Sequence, residues 1–261
     1  SNADTDAGTD LGLQNATDGR GNWVVVWRSD ENLDGTIGTD NDILVAHSTD
    51  NGLSWSYPSA LNSNAGSDTG SDEWPQITTD GVGNWVTTWW STEDLGGAAG
   101  TDHDILVSRS TDNGVSWSAA AMLNSNAATD SGADYGPQIA TDGGGHWVVV
   151  WWSDDDLAGT VGTDDDILVS RSTDNGMSWS AVATLNSNAA TDSGTDLRPK
   201  VITDEMGNWI AVWVSEENLG GTIGTDRDIF VMRSTDNGVS WDSPATPGVS
   251  NHADTEPDED F

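Results

Sequence analysis

The stretch D-I-L-V-S-R-S-T-D-N-G-V-S-W, residues 104–117, decides the fold of this chain. Its second half, S-T-D-N-G-x-S-W, occurs four times, beginning at Ser48, Ser110, Ser172 and Ser234, with a spacing of 62 residues each time. A repeat of this length is one supersecondary unit that buries its apolar faces only against neighbouring copies. The sequence therefore predicts a single domain of four stacked modules, at about 6–67, 68–129, 130–191 and 192–253.

Each module is predicted to contain four β-strands, and none shows a helical period. In the third module, strand A is predicted at 137–141, strand B at 147–152 and strand C at 166–171, with strand D starting near Trp179. Strand B is apolar on both faces, which is typical of a strand that lies between neighbouring sheets. The fold class is therefore all-β.

The turn between strands C and D has a local chemistry of its own. Its aspartate can accept bonds from backbone N–H groups, its glycine can adopt the left-handed conformation, and its serine hydroxyl adds a second side-chain bond. The tryptophan is expected to fold back as an apolar plug between strands. These residues are predicted to be structural in all four copies: Ser48, Asp50, Gly52 and Trp55; Ser110, Asp112, Gly114 and Trp117; Ser172, Asp174, Gly176 and Trp179; Ser234, Asp236, Gly238 and Trp241.

With this motif the chain resembles the aspartate-box family, also called the bacterial neuraminidase repeat family, of β-propellers related to sialidases. The resemblance recurs in all four modules. It implies blades of four antiparallel strands around a central axis, with the box between the third and fourth strands. Three arrangements stay open: four blades that close alone, part of a larger propeller, or a homo-oligomer that completes a larger ring. The motif also occurs in non-enzymatic proteins, so it does not by itself imply sialidase activity.

The two ends of the sequence lie outside the repeat. Residues 1–3 look like the remnant of an expression tag, so the predicted propeller domain is 4–253. Residues 254–261 are interpreted either as an acidic tail or as the truncated start of a further module. No signal peptide is visible, and a secreted or cell-surface protein is the expectation.

Composition restricts the partners. The chain has 44 acidic residues against 8 basic ones, a formal charge of −36, which repels nucleic acid and anionic lipid and attracts cations. No apolar run reaches the roughly eighteen residues of a membrane helix, so membrane insertion is not expected. Cysteine is absent, which excludes disulfides and zinc–thiolate sites. The carboxylates either form a solvated face that keeps the protein soluble or bind specific metal ions.

Strand parity gathers the acidic loops at one end of the blades. In an up-and-down blade, the A–B and C–D turns lie at one end, and the B–C and D–A connections lie at the other. The B–C loop reads G-T-x-G-T-D-x-D-I, and two aspartates at this spacing suit a hard cation such as Ca²⁺. Alternatively, the second aspartate only caps the start of strand C. The predicted metal ligands are Asp40, Asp42, Asp102, Asp104, Asp164, Asp166, Asp226 and Asp228, and no organic cofactor is expected. The same end should carry Asp68, Asp72, Asp130, Asp134, Asp192 and Asp196.

The sequence lacks a recognisable sialidase catalytic set. By resemblance, such enzymes use three converging arginines, a Tyr/Glu nucleophile pair and an Asp acid/base. Arg109, Arg171 and Arg233 instead occupy one equivalent position of strand C, where they are expected to form salt bridges or cover a sheet edge. No catalytic residue is predicted, although Tyr135 is a better nucleophile candidate than Tyr57, for which packing is expected.

His103 and His146 are interpreted as surface residues, because neither has a partner at metal-ligand spacing. The favoured function is a non-catalytic secreted or cell-surface binding module, whose acidic loop face binds Ca²⁺ and whose ligand is a glycan or a protein. The alternative is a sialidase-like glycoside hydrolase with an atypical or incomplete site.

Overall fold

A computed structural model describes residues 8–100, 102–219, 221, 224 and 226–246, and both the tag remnant and the 254–261 tail lie outside these ranges. The chain is an all-β, four-bladed β-propeller. Blade 1 contains β1 (Asp10–Thr17), β2 (Trp23–Ser29), β3 (Asp42–Ser48) and β4 (Ser59–Ala60), with a short 3-10 turn at Leu33–Gly35. Blade 2 contains β5 (Asp72–Thr79), β6 (Trp85–Ser91), β7 (Asp104–Ser110) and β8 (Ala121–Met122). Blade 3 contains β9 (Asp134–Thr141), β10 (Trp147–Ser153), β11 (Asp166–Ser172) and β12 (Ala183–Thr184). Blade 4 contains β13 (Asp196–Thr203), β14 (Trp209–Ser215) and β15 (Asp228–Ser234).

Every blade is an antiparallel meander in chain order, and Val231 of β15 forms an additional antiparallel bridge with Ala245. The predicted order of strands is therefore confirmed. Strand D begins at Ala183 rather than near Trp179, where it was predicted to start. The reason is local: the hydroxyl of Ser180 accepts the Arg171 N–H at 3.1 Å, so a side chain takes the place of a ladder bond. Among the described residues, no helix is long and apolar enough to cross a membrane.

Strand A starts three residues earlier than predicted because a bulge interrupts it. In β9, Tyr135 pairs with Trp152 and Gln138 pairs with Val150, so two residues of β9 oppose Trp151 alone. The bulge residue Gly136 has φ +58, in the left-handed region. This extension places Asp134 in the strand, where the indole N–H of Trp151 donates to its carboxylate at 2.9 Å.

The hydrophobic core lies between blades. At each contact between successive blades, an aliphatic face of one blade packs against a tryptophan face of the next. Between blades 2 and 3, Val86, Ile105 and Val107 pack against Trp147 and Trp151, and both tryptophans are 0% exposed. Equivalent clusters join blade 1 to blade 2 and blade 3 to blade 4. We call each of these contacts a joint.

The aspartate-box glycine completes each joint. A Cβ atom added at Gly176 in blade 3 would lie 2.7 Å from Cγ2 of Val86 in blade 2, and Gly176 has φ +75. Gly238 has the same relation to Val148, at 2.8 Å. In blade 1, by contrast, the nearest atom to such a Cβ on Gly52 is Trp55 Cζ2 at 3.9 Å. A valine of one blade therefore fills the space that the next blade leaves open by using glycine.

The box itself is a closed hydrogen-bonded turn. In blade 1, the Ser48 hydroxyl donates to Asp50 at 2.8 Å and accepts the Gly52 N–H at 3.0 Å. The Ser54 N–H and hydroxyl both donate to the Asp50 carboxylate, at 2.9 and 2.5 Å. The Ser54 hydroxyl bond, followed by the backbone bond, lowers the pKa of Asp50 to about 2. Trp55 is 44% exposed, so in blade 1 the predicted tryptophan plug is open to solvent on one side.

Candidate metal centres on the acidic face

The two ends of each blade are held together by separate sets of backbone bonds. At one end the box meets the A–B turn, as in the Asn175 N–H that donates to the Gly145 carbonyl at 3.2 Å. At the other end the B–C loop meets the D–A connection, as in the Gly100 N–H that donates to the Ala127 carbonyl at 3.0 Å. The acidic loops therefore share the end opposite the boxes, as strand parity predicts. We call this end the acidic face.

Within the described part of the chain, carboxylates of the acidic face meet in three clusters. Asp40, Asp42 and Asp68 form the first; Asp104, Asp130 and Asp134 form the second; Asp164, Asp166 and Asp192 form the third. In each cluster, one ligand atom from every residue lies within 4.8 Å of the others. Two oxygens on opposite sides of one Ca²⁺ ion are separated by about 4.6–5.2 Å, twice the usual bond length. The spacing of the carboxylates therefore fits a single bound ion in each cluster.

A buried asparagine fixes the carboxylates of the second cluster. The amide nitrogen of Asn124 donates to Asp104 and to Asp134, at 2.7 Å in both cases. Its carbonyl oxygen accepts the backbone N–H of Ile105 at 3.1 Å. Asn124 is 0% exposed, and Asn62 and Asn186 occupy the same place in the other two clusters. The asparagine thus ties the start of strand C to the end of strand D.

Around each cluster, at equivalent positions of the repeat, four buried oxygen atoms recur without a hydrogen-bond partner. They belong to the two B–C aspartates, to an asparagine and to an aspartate of the D–A connection, and they have almost no contact with solvent. They are Asp40 Oδ2, Asp42 Oδ2, Asn64 Oδ1 and Asp68 Oδ1; Asp102 Oδ2, Asp104 Oδ2, Asn126 Oδ1 and Asp130 Oδ1; Asp164 Oδ2, Asp166 Oδ2, Asn188 Oδ1 and Asp192 Oδ1. We call each set of four an oxygen cage.

A buried oxygen without a hydrogen-bond partner raises the free energy of the folded state. A carboxylate that carries such an oxygen is therefore destabilised. Asp42, Asp104 and Asp166 are each exposed by 1% or less, so the side chains that carry these atoms are enclosed by protein. The same four orphans in three blades constitute a repeated feature of the fold. A cation held among the clustered carboxylates would compensate orphaned oxygens of this kind.

Electrostatics shows how unfavourable the cages are without positive charge. Burial, ahead of every other cause, raises the pKa of Asp42 and Asp166 to about 7 and that of Asp104 to about 6. Burial and then the neighbouring carboxylates raise the pKa of Asp130 to about 7. These groups resist ionisation near neutral pH because burial penalises their charged forms.

The fate of the predicted ligands differs between blades. Asp40, Asp42, Asp102, Asp104, Asp164 and Asp166 all contribute to cages. Asp228 starts β15 and is 5% exposed, but the equivalents of the remaining cage residues fall at 250 and 254, outside the described residues, so the site predicted at Asp226 and Asp228 stays a prediction. The second aspartate of each pair also begins strand C, as the alternative interpretation predicts.

Two ligand positions of each cage were not predicted as ligands. One is the D–A aspartate, at 68, 130 and 192, and the other is the asparagine at 64, 126 and 188. The repeated string L-N-S-N-A at 61–65, 123–127 and 185–189 carries both asparagines of this region and was a usable signal.

The glycine that precedes each aspartate pair leaves room for a carboxylate. At Gly100 an added Cβ would collide with Asp102 Oδ1, and Gly38 and Gly162 have the same relation to Asp40 and Asp164. The first aspartate of the pair folds back over its own loop, and its other oxygen, Oδ2, is one of the four cage atoms.

A polar cleft adjoins the second cage. It has a volume of about 900 Å³ and lies between the loop at 125–132 of blade 2 and two segments of blade 3, at 154–163 and 182–190. Asn126 and Asp130 of the cage line it, as do Asp154, Asp155 and Asp156. Asn126 also donates to Asp155 at 2.5 Å, which links the cage to the opposite wall.

The residues considered for catalysis do not assemble at this cleft. Arg109 and Arg233 donate to Asn84 and Asn208, at 2.7 and 3.0 Å, at the end of the blades that carries the boxes. Tyr135 stacks on Trp152 with ring centroids 4.5 Å apart, and burial, with Asp154 and Asp165 nearby, raises the pKa of its phenol. Such a shift is opposite to that of an activated nucleophile.

Three side chains differ from expectation. Tyr57 is 78% exposed, so the packing predicted for it is wrong, because it follows the box beside the outermost strand and lines an open cleft with Leu33 and Pro58. His103 is half-buried, with its ring 4.7 Å from that of Trp90 and 4.5 Å from that of Tyr135. His146 is half-buried and bonds Asp142 at 2.6 Å.

No protein-family model matches this chain, and no curated protein matches it. Solved structures do match. A leech intramolecular trans-sialidase superposes with a TM-score of 0.59 and 11% identity, over 92% of this chain and 51% of that chain. A Hadza microbial sialidase superposes with a TM-score of 0.54 and 16% identity, over 91% and 58%. This chain has the sialidase-like propeller fold.

The chain is also similar to an alpha-L-arabinanase of Penicillium chrysogenum, with a TM-score of 0.51, 15% identity, and coverage of 87% of this chain and 63% of that chain. It thus spans between 51% and 63% of the length of these three proteins. At such low identities the likeness establishes the fold alone. It confirms the fold that the aspartate-box resemblance predicts.

Proposed function

We propose that this chain is a non-catalytic, Ca²⁺-dependent binding module whose ligand is a neutral glycan. The observation that carries the proposal is the oxygen cage, repeated in three blades with the same four orphaned atoms. Ca²⁺ takes about six to eight oxygen ligands from carboxylates, amides, backbone carbonyls and water. Each cage offers four side-chain oxygens, so about two to four positions stay available for other oxygens, including ligand hydroxyls.

The choice of Ca²⁺ over smaller cations rests on size and ligand type. Mg²⁺ demands near-ideal octahedral geometry with bonds of about 2.0–2.1 Å, whereas Ca²⁺ accepts irregular oxygen sets at about 2.3–2.6 Å. An all-oxygen cage with no nitrogen or sulfur also disfavours Zn²⁺. Sites of this kind in extracellular modules bind Ca²⁺ with dissociation constants of about 10⁻⁴–10⁻³ M. The proposal therefore includes a secreted or cell-surface location.

The cleft beside the second cage is where a glycan would bind. Its volume of about 900 Å³ lies within the range of small-ligand sites. A bound ion at Asp130 would sit at the cleft wall, where its free coordination positions are accessible to sugar hydroxyls. Asp154, Asp155 and Asp156 make the cleft anionic, which repels acidic sugars such as sialic acid and favours neutral ones. Arg109 and Arg233 bond Asn84 and Asn208 at the box end of the blades, away from the cleft, which supports a non-catalytic role over a sialidase-like hydrolase.

Calorimetry with Ca²⁺ after exhaustive chelation tests the ion. We expect binding of at least three ions per chain, and a rise in melting temperature that Mg²⁺ does not reproduce. Asp104→Asn should remove one binding event. The control is Glu205→Gln, which makes the same change of charge at an exposed position near the boxes. Absence of heat, together with an unchanged melting temperature, would contradict the proposal.

An array of neutral and acidic oligosaccharides, probed with and without Ca²⁺, tests the ligand. Ser131 is exposed and lines the cleft, so Ser131→Trp should fill the cleft and abolish retention on neutral glycans. Ser193→Trp, at the equivalent exposed position one module later, should leave retention intact. Turnover of fluorogenic sialosides or other glycosides would instead favour the hydrolase.

A further inference from the structure

Each oxygen cage lies where the chain crosses from one blade to the next. We propose that the ion of each cage ties two successive blades together, with acidic side chains of the following blade as part of its site. The inference rests on the proposed Ca²⁺ binding and deepens it, because it makes the ion a device that holds one blade against the next. The acidic side chains of the following blade stand at one repeat position after strand B, and they are Glu93, Asp155 and Glu217.

The first residue of the following blade already meets the second cage. Asp134 begins β9 of blade 3 and is 0% exposed, and it clusters with Asp104 and Asp130. The amide of Asn124 in blade 2 bonds both Asp104 and Asp134. The Asp134 N–H in turn donates to the carbonyl of His103, which lies in blade 2, at 2.8 Å. The second cage is therefore shared between blades 2 and 3.

A second carboxylate of blade 3 reaches the same cage through an amide. Asn126 contributes its carbonyl oxygen to the cage, and its amide nitrogen donates to both Asp130 and Asp155. Asp155 is 5% exposed, so its carboxylate is held inside the protein beside the cage. Residues that orient a metal ligand in this way contribute to metal affinity nearly as much as the ligands themselves.

Glycine brings the following blade close to the cage. A Cβ atom added at Gly70, in the D–A connection of the first cage, would lie 2.7 Å from Cα of Glu93. Any side chain at this position would therefore push Glu93 away from the cage. The same relation recurs at the other two cages, where it joins Gly132 to Asp155 and Gly194 to Glu217.

Charge indicates the same close approach. Burial, then Asp40 and then Glu93 raise the pKa of Asp68 to about 6. Burial, then a cage aspartate and then Glu217 raise the pKa of Asp192 to the same value. Carboxylates of two blades therefore repel each other across the first and third cages, and a cation between them replaces this repulsion with attraction to the ion.

The ion of the second cage thereby positions the walls of the cleft. One wall is the loop at 125–132, and another is the segment of blade 3 at 154–163, which contains Asp155. A bound ion draws Asp155 toward the cage and fixes the separation of these two walls. Glycan binding then depends on Ca²⁺ through the shape of the cleft as well as through direct contact with the ion.

Calorimetry with Ca²⁺ on variants of the following blade tests the inference. Asp155→Asn keeps an acceptor for Asn126 but removes the charge, so it should weaken one binding event by about 10–100-fold. Asp155→Glu should retain the affinity, because glutamate stands at this position in the neighbouring blades. The control is Asp94→Asn, which makes the same change of charge beside Glu93, on an exposed side chain that accepts the Gly96 N–H of its own loop.

The outcomes separate this inference from the proposed function. Equal affinity in Asp155→Asn and in the unchanged protein would overturn the inference and leave Ca²⁺ binding in place. An unchanged protein that binds no Ca²⁺ would overturn both.

Hydrogen exchange shows whether the ion acts from one blade to the next. Ca²⁺ should slow the exchange of backbone amides at 154–163 in blade 3, and Asp104→Asn, a change in blade 2, should abolish that protection. Protection at 216–219 in blade 4, beside the third cage, should persist in the same variant as an internal control. The Asp155→Asn chain repeats the measurement with the four cage residues unchanged. Protection by Ca²⁺ that stays confined to blade 2 would contradict a tie between blades.

Discussion

Replacing Gly176 with alanine tests how the blades are joined. The new Cβ would lie 2.7 Å from Val86 Cγ2, which is closer than van der Waals contact, at a residue with φ +75. The left-handed conformation costs alanine about 1–2 kcal/mol, and overpacking costs about 1–3 kcal/mol more. We expect Gly176→Ala to lower the free energy of unfolding by about 2–5 kcal/mol.

Gly52→Ala is the matched control because Gly52 occupies the same box position at φ +80, but its nearest neighbour would be 3.9 Å away. It should lose only the conformational part, about 1–2 kcal/mol. Urea unfolding followed by tryptophan fluorescence measures both variants, and thermal midpoints should differ by roughly 2–4 °C per kcal/mol. Equal losses in the two variants would refute the role assigned to the joint.

Three further predictions concern the acidic face and the box. Asn124→Ala removes three buried hydrogen bonds, so it should lower the free energy of unfolding in urea by about 3–5 kcal/mol. It should also weaken one Ca²⁺ site in calorimetry. A loss of unfolding free energy below about 1 kcal/mol would contradict the role of Asn124. The pKa is raised from 3.8 to about 6 for Asp104 and to about 7 for Asp130. The stability that their protonated forms contribute is therefore present below about pH 4, and it is lost as the pH rises through 6–7. The melting temperature of chelated protein should therefore fall between about pH 5 and 8 while the increment from Ca²⁺ grows, and a pH-independent increment would count against the cages. The pKa of Asp50 is lowered to about 2, so its contribution is present above about pH 4 and lost as the pH falls toward 2; acid titration of Asp50→Asn beside the unchanged protein should show a stability difference that shrinks over that interval and does not grow.

The sequence predicts the repeat and its strands well because both depend on local pattern. Strand B of blade 3 shows no alternation of polar and apolar residues. It is buried on both faces, as its composition indicates. The start of strand A was placed too late because the bulge at Gly136 shifts the alternation between Tyr135 and Gln138. A register shift of this kind leaves little trace in a hydrophobic pattern.

The cages were only half predictable for a related reason. Asp102 and Asp104 are two residues apart, so their shared site can be inferred from spacing alone. Asn126 and Asp130 join them from a separate loop, through contacts such as the bond from Gly100 to Ala127. Such contacts depend on how one loop folds over another, and strand parity predicts only that both loops lie at the same end.

The joint between blades has a consequence for how a gene of this kind changes length. Val24 of blade 1 contacts Gly114 of blade 2 in the same way that Val86 contacts Gly176. Deletion of 62 consecutive residues that removes blade 2 would bring Val24 to Gly176, which is the same pair of residue types in the same frame. Blades can therefore be gained or lost as whole units without a compensating substitution, and recombination between repeats should yield folded arrays of different lengths.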